Sequence, residues 1–193
     1  MITHIQGKLT EKNPTHVVID CNGVGYMLNI SLHTYSQIPD NELLKLYTHL
    51  QVKEDSHTLF GFSSLAEREI FRLLISVNGI GASIARTMLS SLTPKQVREA
   101  IAVNDVALIQ SIKGIGTKTA QRVILDLKDK ILKIYDIDEV SVSQDNTNKD
   151  EALSALEVLG FAKKQAERVV DKIVKDNPDA NVETIIKEAL KNL

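Results

Sequence analysis

A glycine pattern that occurs twice constrains the fold of this chain most strongly. Gly79-Ile80-Gly81 and Gly114-Ile115-Gly116 are offset by 35 residues, and both lie between apolar runs. The first glycine of each pattern can adopt the left-handed conformation that ends a helix, and the second allows another group to approach the backbone closely. Each copy therefore predicts a helix, a tight hairpin and a second helix.

The start of each second helix predicts a phosphate-binding site. The first N–H groups of a helix have no partner inside it, and the helix dipole attracts an anion to that end. In the second copy, Lys118 and Arg122 are four residues apart, which places them on one face of the helix near its start. A single Gly-x-Gly pattern is more simply a helix-ending turn, but duplication of the whole apolar pattern favours binding to nucleic-acid backbone. The two copies resemble the helix-hairpin-helix motif of DNA-binding proteins, which binds phosphate without reading base sequence.

The distribution of charge supports this interpretation. The formal net charge of the chain is only −2 at pH 7, which by itself argues against a nucleic-acid-binding protein. Residues 63–134, which contain both glycine patterns, nevertheless hold 11 Lys and Arg against 6 Asp and Glu. The balance is −2 in residues 1–62 and −5 in residues 135–193. Positive charge is thus concentrated where phosphate binding requires it.

Composition excludes several other classes of protein. Cys21 is the single cysteine, which excludes a disulfide framework and a cysteine-based zinc site and suits a reducing cytoplasm. The absence of Trp and an aromatic content of 4% leave little surface for stacking single-stranded bases. No apolar run reaches membrane length and the N-terminal residues do not resemble a signal peptide, so we expect a soluble cytoplasmic protein. We expect no metal site, because only His57 accompanies Glu54 and Asp55 at ligand spacing, and we expect no cofactor.

Residues 1–62 predict a small β-barrel of the OB type, although periodicity leaves other small β folds open. Asn22-Gly23 is a strong hairpin signal, Gly25 suggests a bulge or a sharp bend, and residues 34–40 are interpreted as a polar connection. The strand patterns lie around Ile2–Leu9 and at His16–Asp20, Val24–Ile30, Leu43–Val52 and Thr58–Phe62.

Residues 63–134 switch to helical periodicity. Ser64-Leu65-Ala66-Glu67 has the spacing of a capping box, Thr93-Pro94 begins another helix, and Asn104 or Asp105 caps a short one. The last helix of the segment extends from Thr117 to about residue 134. Both hairpins therefore lie in one helical DNA-binding domain.

The rest of the chain predicts a tethered docking module, which makes the whole an α+β multidomain protein. Residues 135–148 are polar, acidic and without a helical stripe, as in a flexible linker. Residues 149–193 predict three short amphipathic helices, at Asp150–Leu159, Lys163–Lys175 and Val182–Leu193. A unit of this size buries only a small core. The alternative to a tethered module is that residues 149–193 pack permanently on the rest of the chain.

The order of these segments resembles the RuvA family, the Holliday-junction-binding subunits of bacterial branch-migration complexes. Each signal alone is weak, but the combination is specific and covers essentially the whole chain. The matching residues are Met1-Ile2, Gly7, Gly23-Val24-Gly25-Tyr26, Glu54-Asp55, Leu59-Phe60-Gly61-Phe62, both glycine patterns, Leu156 and Leu159-Gly160-Phe161.

The resemblance implies a homotetramer that holds a four-way junction open and planar, and it leaves open whether a second tetramer completes an octamer. It implies that Glu54 and Asp55 form the family's acidic pin, which repels phosphates at the junction centre and discourages binding of plain duplex. From spacing alone, this pair is a solvated turn. Residues 149–193 would dock on RuvB, the hexameric ATPase motor, with the RuvC resolvase as a further candidate partner. The implied processes are DNA recombination, DNA repair and the SOS response to DNA damage.

The predicted DNA-binding residues lie in and beside the hairpins. Lys118 and Arg122 match basic positions of the family, whereas Ser83 and Thr117 stand where the family often carries Lys and so lack that charge. Arg86 is predicted, from proximity alone, to compensate, as is Lys113. The full set is Gly79, Gly81, Ser83, Arg86, Lys113, Gly114, Gly116, Thr117, Lys118 and Arg122.

Two other functions are weaker interpretations of the same motifs. Helix-hairpin-helix units also occur in DNA ligases and base-excision glycosylases, but the Lys-x-Asp-Gly motif of a ligase is absent. Asp126 and Asp129, the candidate glycosylase acids, are more simply a solvated face beside Lys128 and Lys130. No P-loop motif is present, so we expect a non-catalytic subunit whose partner hydrolyses ATP. The other alternative is a protein-interaction adaptor, in which the hairpins only pack helices together and do not bind DNA.

Overall fold

The computed structural model describes residues 1–39, 43–131, 147–177 and 180–193. The chain divides into two compact units, Met1–Asp138 and Glu139–Leu193. Of the predicted linker, residues 135–146 lie outside the described residues, and the last two residues begin a helix.

The N-terminal unit begins with a closed barrel. Its strands pair antiparallel except β3 and β5, which are parallel. Apolar residues alternate along the strands, so Val17, Ile19 and Leu28 are completely buried inside the barrel. The described strands are β1 (His4–Lys12), β2 (His16–Cys21), β3 (Val24–Asn29), β4 (Leu43–Val52) and β5 (His57–Phe62), in the spatial order β1-β2-β3-β5-β4. The predicted small barrel is confirmed.

Two backbone constraints in the barrel involve glycine. Asn22 and Gly23 have φ angles of 55° and 91°, the positive values that a type I′ hairpin requires, so the turn predicted there is confirmed. Gly7 lies so close to the neighbouring strand that a Cβ atom would be 2.1 Å from the carbonyl oxygen of Asp20. Any larger residue at position 7 would therefore push β1 and β2 apart.

Two local features of the barrel differ from the prediction. Of the two alternatives at Gly25, the bulge is wrong, because β2 and β3 pair in unbroken register through this residue. The irregularity lies instead in β1, between Leu9 and Glu11. The predicted polar connection contains a short helix, α1 (Leu32–Gln37), whose N-cap is the side chain of Ser31.

Helices follow the barrel and enclose a second core. Thr93 and Gln96 form a complete capping box, and Asp105 caps its helix by accepting a hydrogen bond from the N–H of Leu108 at 2.9 Å. The helices are α2 (Leu65–Ile75), α3 (Ala82–Ser91), α4 (Pro94–Ala102), α5 (Val106–Gln110) and α6 (Thr117–Ile131). The helical segment is confirmed, and of the two candidate caps for α5 the structure selects Asp105.

The barrel and these helices are packed together. The ring of Phe71 in α2 is fully buried, with its centroid 5.0 Å from that of Phe60 and 4.9 Å from that of Phe62 in β5. Aromatic pairs at this separation add to the burial of apolar surface. The hairpins and the β4–β5 turn therefore belong to one packed unit.

The C-terminal unit is a bundle of three described helices, α7 (Thr147–Val158), α8 (Lys163–Asp176) and α9 (Val182–Asn192). Leu156, Val170 and Ile185 are buried in its core. Gly160, with a φ angle of 96°, turns the chain between α7 and α8. The three predicted helices are present, and α7 begins three residues earlier than predicted.

Candidate nucleic-acid interface

The first hairpin, residues 76–81, exposes backbone at the start of α3. Gly79 has a φ angle of 97°, and the N–H of Ile80 donates to the carbonyl of Val77 at 3.0 Å, which closes the turn. Val77 and Ile80 are buried, whereas Gly79 and Gly81 are exposed. Gly81 is the N-cap of α3 and no side chain caps this helix. The first N–H groups of α3 are therefore open to an anion.

The second hairpin, residues 111–116, repeats this geometry before α6. Gly114 has a φ angle of 94°, and the N–H of Ile115 donates to the carbonyl of Ile112 at 3.1 Å. The N–H of Ala120 donates to the carbonyl of Gly116 at 2.9 Å, which matches the 3.0 Å bond four residues apart at the start of α3. The offset of 35 residues in the sequence is thus also an equivalence in structure.

The two hairpins pack against each other reciprocally. A Cβ atom placed on Gly79 would lie 3.8 Å from Thr119 in α6, and one placed on Gly114 would lie 4.0 Å from Ile84 in α3. Thr119 and Ile84 are themselves equivalent positions of the repeat. A contact in which each copy presents the same surface to the other is the arrangement of a local two-fold axis. Such an axis presents two similar helix starts, which suits two points on a nucleic-acid backbone.

Positive charge differs between the equivalent positions. Lys113, Lys118 and Arg122 are exposed beside the second hairpin, and within the described part of the chain none of them has a hydrogen bond or ion pair. Lys118 and Arg122 correspond to Ser83 and Thr87 at the first hairpin. The first hairpin therefore offers backbone N–H groups and hydroxyls, and the second adds three cations.

Arg86, the predicted compensating cation of the first hairpin, contacts the barrel. Its Nη1 donates to Oδ1 of Asn29 at 2.9 Å and to the carbonyl of Thr15 at 3.3 Å. Thr117, the other predicted hydroxyl donor, is exposed as the first residue of α6. The cations of the second hairpin are thus exposed to solvent together, whereas Arg86 is hydrogen-bonded to the barrel.

The acidic pair Glu54 and Asp55 forms the tip of the β4–β5 hairpin. The N–H of Lys53 donates to the carbonyl of Ser56 at 2.8 Å, which leaves Glu54 and Asp55 as the two central residues of the turn. Both are exposed, and Asp55 accepts a hydrogen bond from the hydroxyl of Ser56 at 3.1 Å. We call residues 53–56 the acidic turn. It presents two carboxylates to solvent.

Comparison with known proteins gives the family. Models of the RuvA N terminal domain, a SAM-like helix-hairpin-helix tandem and the RuvA C-terminal domain match residues 1–61, 71–129 and 147–193. Proteins named Holliday junction branch migration complex subunit RuvA are similar along the whole chain. Those of Flavobacterium psychrophilum and Christiangramia forsetii are 70% and 68% identical over 193 residues, with 100% of both chains covered. That of Cytophaga hutchinsonii is 50% identical over 198 residues, with 99% of each chain covered.

The chain belongs to the RuvA family. The resemblance predicted from the sequence is confirmed by these matches, as is the fold class: an OB-type barrel, a helix-hairpin-helix domain and a C-terminal helical domain.

A groove in the RuvA N-terminal unit connects the first hairpin to the base of the acidic turn. It has a volume of about 470 Å³. The barrel contributes Gln51, Lys53 and Thr58 to its lining, and the start of α3 contributes Gly81, Ser83 and Arg86. The lining combines apolar surface with the polar groups of these residues, and the groove leads from the exposed start of α3 to the acidic turn.

Sequence reasoning missed the role of Glu67. Its carboxylate, at the barrel side of α2, is 0% exposed and accepts hydrogen bonds from the hydroxyls of Ser31 at 2.5 Å and Thr34 at 2.6 Å. Ser63 donates a third at 3.3 Å. Ser64 caps α2 as predicted, but the carboxylate of Glu67 is used for this cluster instead of completing the capping box. The local sequence pattern could not indicate this contact, because Ser31 and Glu67 are 36 residues apart in the chain.

The C-terminal unit of this RuvA chain exposes apolar surface at one end. Val158 is 85% exposed and Leu159 is 59% exposed, at the turn between α7 and α8. A shallow groove of about 520 Å³ lies along the start of α8, lined by Ala162, Lys164, Gln165, Arg168 and Val169. Apolar residues next to a basic rim are typical of a protein-docking surface.

Two described groups have shifted pKa values. Burial, and then the positive charge of Arg72, lower the pKa of His49 in β4. A hydrogen bond to Asp171 raises the pKa of Lys149 in the C-terminal unit. Neither residue belongs to the hairpins or the acidic turn. Among the described residues no group of three His, Cys, Asp or Glu side chains could hold a metal ion, and none of the described helices is long and apolar enough to cross a membrane.

Proposed function

We propose that this RuvA-family chain binds four-way DNA junctions and directs them to a branch-migration motor. Family membership makes it a DNA-binding protein of recombination and repair. The curated relatives are named as subunits of a Holliday junction branch migration complex. The observation that carries the proposal is the combination, in one packed unit, of two equivalent helix starts with an exposed pair of carboxylates.

Binding to DNA uses the backbone and not the bases. The first N–H groups of α3 and α6 donate to phosphate oxygens on one duplex arm, and Lys118 and Arg122 add charge at the second hairpin. Gly81 and Gly116 matter because a phosphate must approach the main chain closely. Contacts of this kind position the DNA and carry no sequence information, as a protein that acts on any junction requires.

Selection of a junction comes from assembly and from the acidic turn. Four subunits around a fourfold axis bring four copies of Glu54 and Asp55 to the centre, where the arms of an open, planar junction meet. The carboxylates repel phosphates there, which keeps the strands apart and disfavours a continuous duplex across the same face. A second tetramer on the opposite face would give an octamer, and the mass of the complex distinguishes the two.

The C-terminal unit is proposed to dock on the RuvB hexameric ATPase. Its exposed Val158 and Leu159 and the basic groove along α8 supply apolar and charged contact in one place. The chain itself acts as a non-catalytic subunit, and ATP hydrolysis resides in the motor. The RuvC resolvase is a further proposed partner of the junction complex.

The role of the acidic turn is tested by Glu54→Gln combined with Asp55→Asn. We expect duplex affinity to rise and the preference for a four-way junction over duplex of equal length to fall, because repulsion at the centre is removed. Asp150→Asn with Glu151→Gln removes the same charge from another exposed adjacent pair, in α7, and should change neither. An unchanged junction-to-duplex ratio in the first variant contradicts the proposed role.

The docking role is tested by removing residues 147–193. Junction affinity should be retained, because the hairpins and the acidic turn lie in the N-terminal unit. Stimulation of a RuvB motor on junction DNA should be abolished. A truncated chain that still stimulates the motor would refute this part of the proposal.

A further inference from the structure

The guanidinium of Arg86 spans the boundary between the first hairpin and the barrel. Arg86 lies one helical turn after Ala82, the first residue of α3. Its Nη1 donates to the side chain of Asn29, the last residue of β3, at 2.9 Å and to the carbonyl of Thr15 at 3.3 Å. These bonds connect residues that are 57 and 71 positions apart in the chain. They fix the start of α3 relative to the barrel.

The acceptor is itself held in place. The side-chain amide of Asn29 donates to the carbonyl of Leu59 in β5 at 3.4 Å, while its oxygen accepts from Arg86. Asn29 also pairs with Phe60 in the β3–β5 ladder. Arg86 is thus connected through Asn29 to β5, the strand that follows the acidic turn in the chain.

The second hairpin lacks such a connection. The position equivalent to Arg86 is Gln121, which is exposed and has no hydrogen bond within the described part of the chain. Conversely, the exposed cations Lys118 and Arg122 of the second hairpin have Ser83 and Thr87 as their equivalents at the first. The two copies therefore differ: the second carries cations that have no hydrogen bond or ion pair among the described residues, and the first carries a cation that is bonded to the barrel.

Arg86 and its acceptor Asn29 also line the groove between the first hairpin and the acidic turn, together with Lys53 and Thr58. A residue that bonds one wall of a groove to the other sets the distance between the walls. Here the walls carry Gly81, where the proposed phosphate approaches, and the β-hairpin that ends in the carboxylates.

We infer that Arg86 is a positioning residue and not a phosphate ligand: through Asn29 and Thr15 it holds the first hairpin at a fixed distance from the acidic turn, and so contributes to discrimination between junction and duplex. This inference rests on the proposed function. It replaces the expectation that Arg86 compensates for the missing charge at Ser83.

A phosphate ligand and a positioning residue affect binding differently. Loss of one phosphate contact lowers the slope of log K against log salt by about 0.9 and weakens binding to every DNA. Loss of a positioning contact leaves the number of neutralised phosphates unchanged and alters the geometry that a junction requires. The two roles are therefore separated by the salt slope and by the junction-to-duplex ratio.

The experiment measures affinity of the full-length chain for a four-way junction and for duplex of equal length, over a range of salt. Arg86→Ala and Asn29→Ala should each lower the junction-to-duplex ratio several-fold with an unchanged salt slope. The double variant should be no worse than Arg86→Ala alone, because both changes remove one contact. Lys118→Ala calibrates the slope expected for a lost phosphate contact, and Gln121→Ala is the matched control that should leave both DNAs bound as before.

Two results would overturn the inference. A reduced salt slope for Arg86→Ala, with Asn29→Ala behaving as the parent chain, would make Arg86 a phosphate ligand. A ratio unchanged in both single variants would deny it any role in discrimination. Asn29→Ala supplies the answer if Arg86→Ala is too unstable to purify. Equal affinity of the parent chain for both DNAs would instead refute the proposed function, and this inference with it.

Discussion

Replacing Gly81 with alanine tests whether the start of α3 receives a phosphate. Gly81 has φ and ψ angles of −86° and 167°, a conformation that alanine adopts without strain. A Cβ atom built at this position has no neighbour within 4 Å. The added methyl group therefore points into the space that the proposed phosphate occupies and touches nothing in the protein.

The effect of Gly81→Ala on folding should be small because two contributions oppose each other. Alanine is a poorer N-cap than glycine by roughly 0.5–1 kcal/mol. Alanine at a compatible backbone position also restricts the unfolded chain, which stabilises the fold by about 0.4–1 kcal/mol. We expect the free energy of unfolding to change by less than about 0.5 kcal/mol, a shift of roughly 2 °C or less in Tm.

The effect on DNA binding should be large by comparison. Hydrogen bonds to a charged group contribute about 1.5–3 kcal/mol each. A methyl group that keeps the phosphate from the N–H groups of α3 should therefore weaken junction binding by roughly 10- to 150-fold. Gly25→Ala is the matched control, because a Cβ at this exposed barrel position meets Val18 at an ordinary 3.4 Å.

Gel-shift titration with a four-way junction and thermal unfolding by circular dichroism measure the two effects of Gly81→Ala separately. Unchanged junction affinity with unchanged Tm would refute phosphate binding at the first hairpin. A large drop in Tm would refute the claim that position 81 faces open space. Gly79→Ala cannot make this distinction, because its φ angle of 97° strains alanine and perturbs the fold directly.

Three further predictions concern charge and burial. Lys118→Ala and Arg122→Ala should each weaken junction binding and lower the salt slope by about 0.9 per subunit, as titrations at several salt concentrations would measure; an unchanged slope would argue against phosphate contact. Glu67→Ala should lower the free energy of unfolding by about 3 kcal/mol, because it leaves the buried hydroxyls of Ser31 and Thr34 without an acceptor. Calorimetry should then show a Tm lower by roughly 6–12 °C, and an unaltered Tm would show that this cluster does not stabilise the fold. Since the pKa of His49 is lowered in the fold, the unfolded chain binds a proton first as pH falls below about 6.5, so stability should decline there. The free energy of unfolding is measured by denaturant unfolding at several pH values, and in His49→Gln this part of its decline should be missing. Identical pH profiles of the free energy of unfolding in the variant and the parent chain would contradict the lowered pKa of His49.

The hairpins could be predicted from sequence because their constraint is local. The positive φ angles of Gly79 and Gly114 depend on a few neighbouring residues, and the repeat made the signal stronger. The same holds for the Asn22-Gly23 turn and the capping box that begins at Thr93. Each of these features is specified within five or six residues of chain.

The features that sequence reasoning missed depend on distant contacts. Helix α1 has only six residues, too few for periodicity, and it is held by Ser31 and by the bond from the N–H of Leu32 to the hydroxyl of Ser90 in α3. The N–H of Glu67 donates to Ser64 as the capping pattern predicts, but its carboxylate accepts hydrogen bonds from the buried hydroxyls of Ser31 and Thr34 instead. Arg86 was assigned by proximity to the first hairpin, and its acceptor 57 residues away could not be seen in the pattern.

Competition between a four-way junction and duplex of equal length is the most direct test of the central claim. The purified chain is titrated into a mixture of both labelled DNAs at fixed salt, beside a mass measurement of the complex. Selective binding of DNA by two hairpins and an acidic turn predicts strong preference for the junction, in a complex that contains four chains or eight. Equal affinity for the two DNAs would contradict the account.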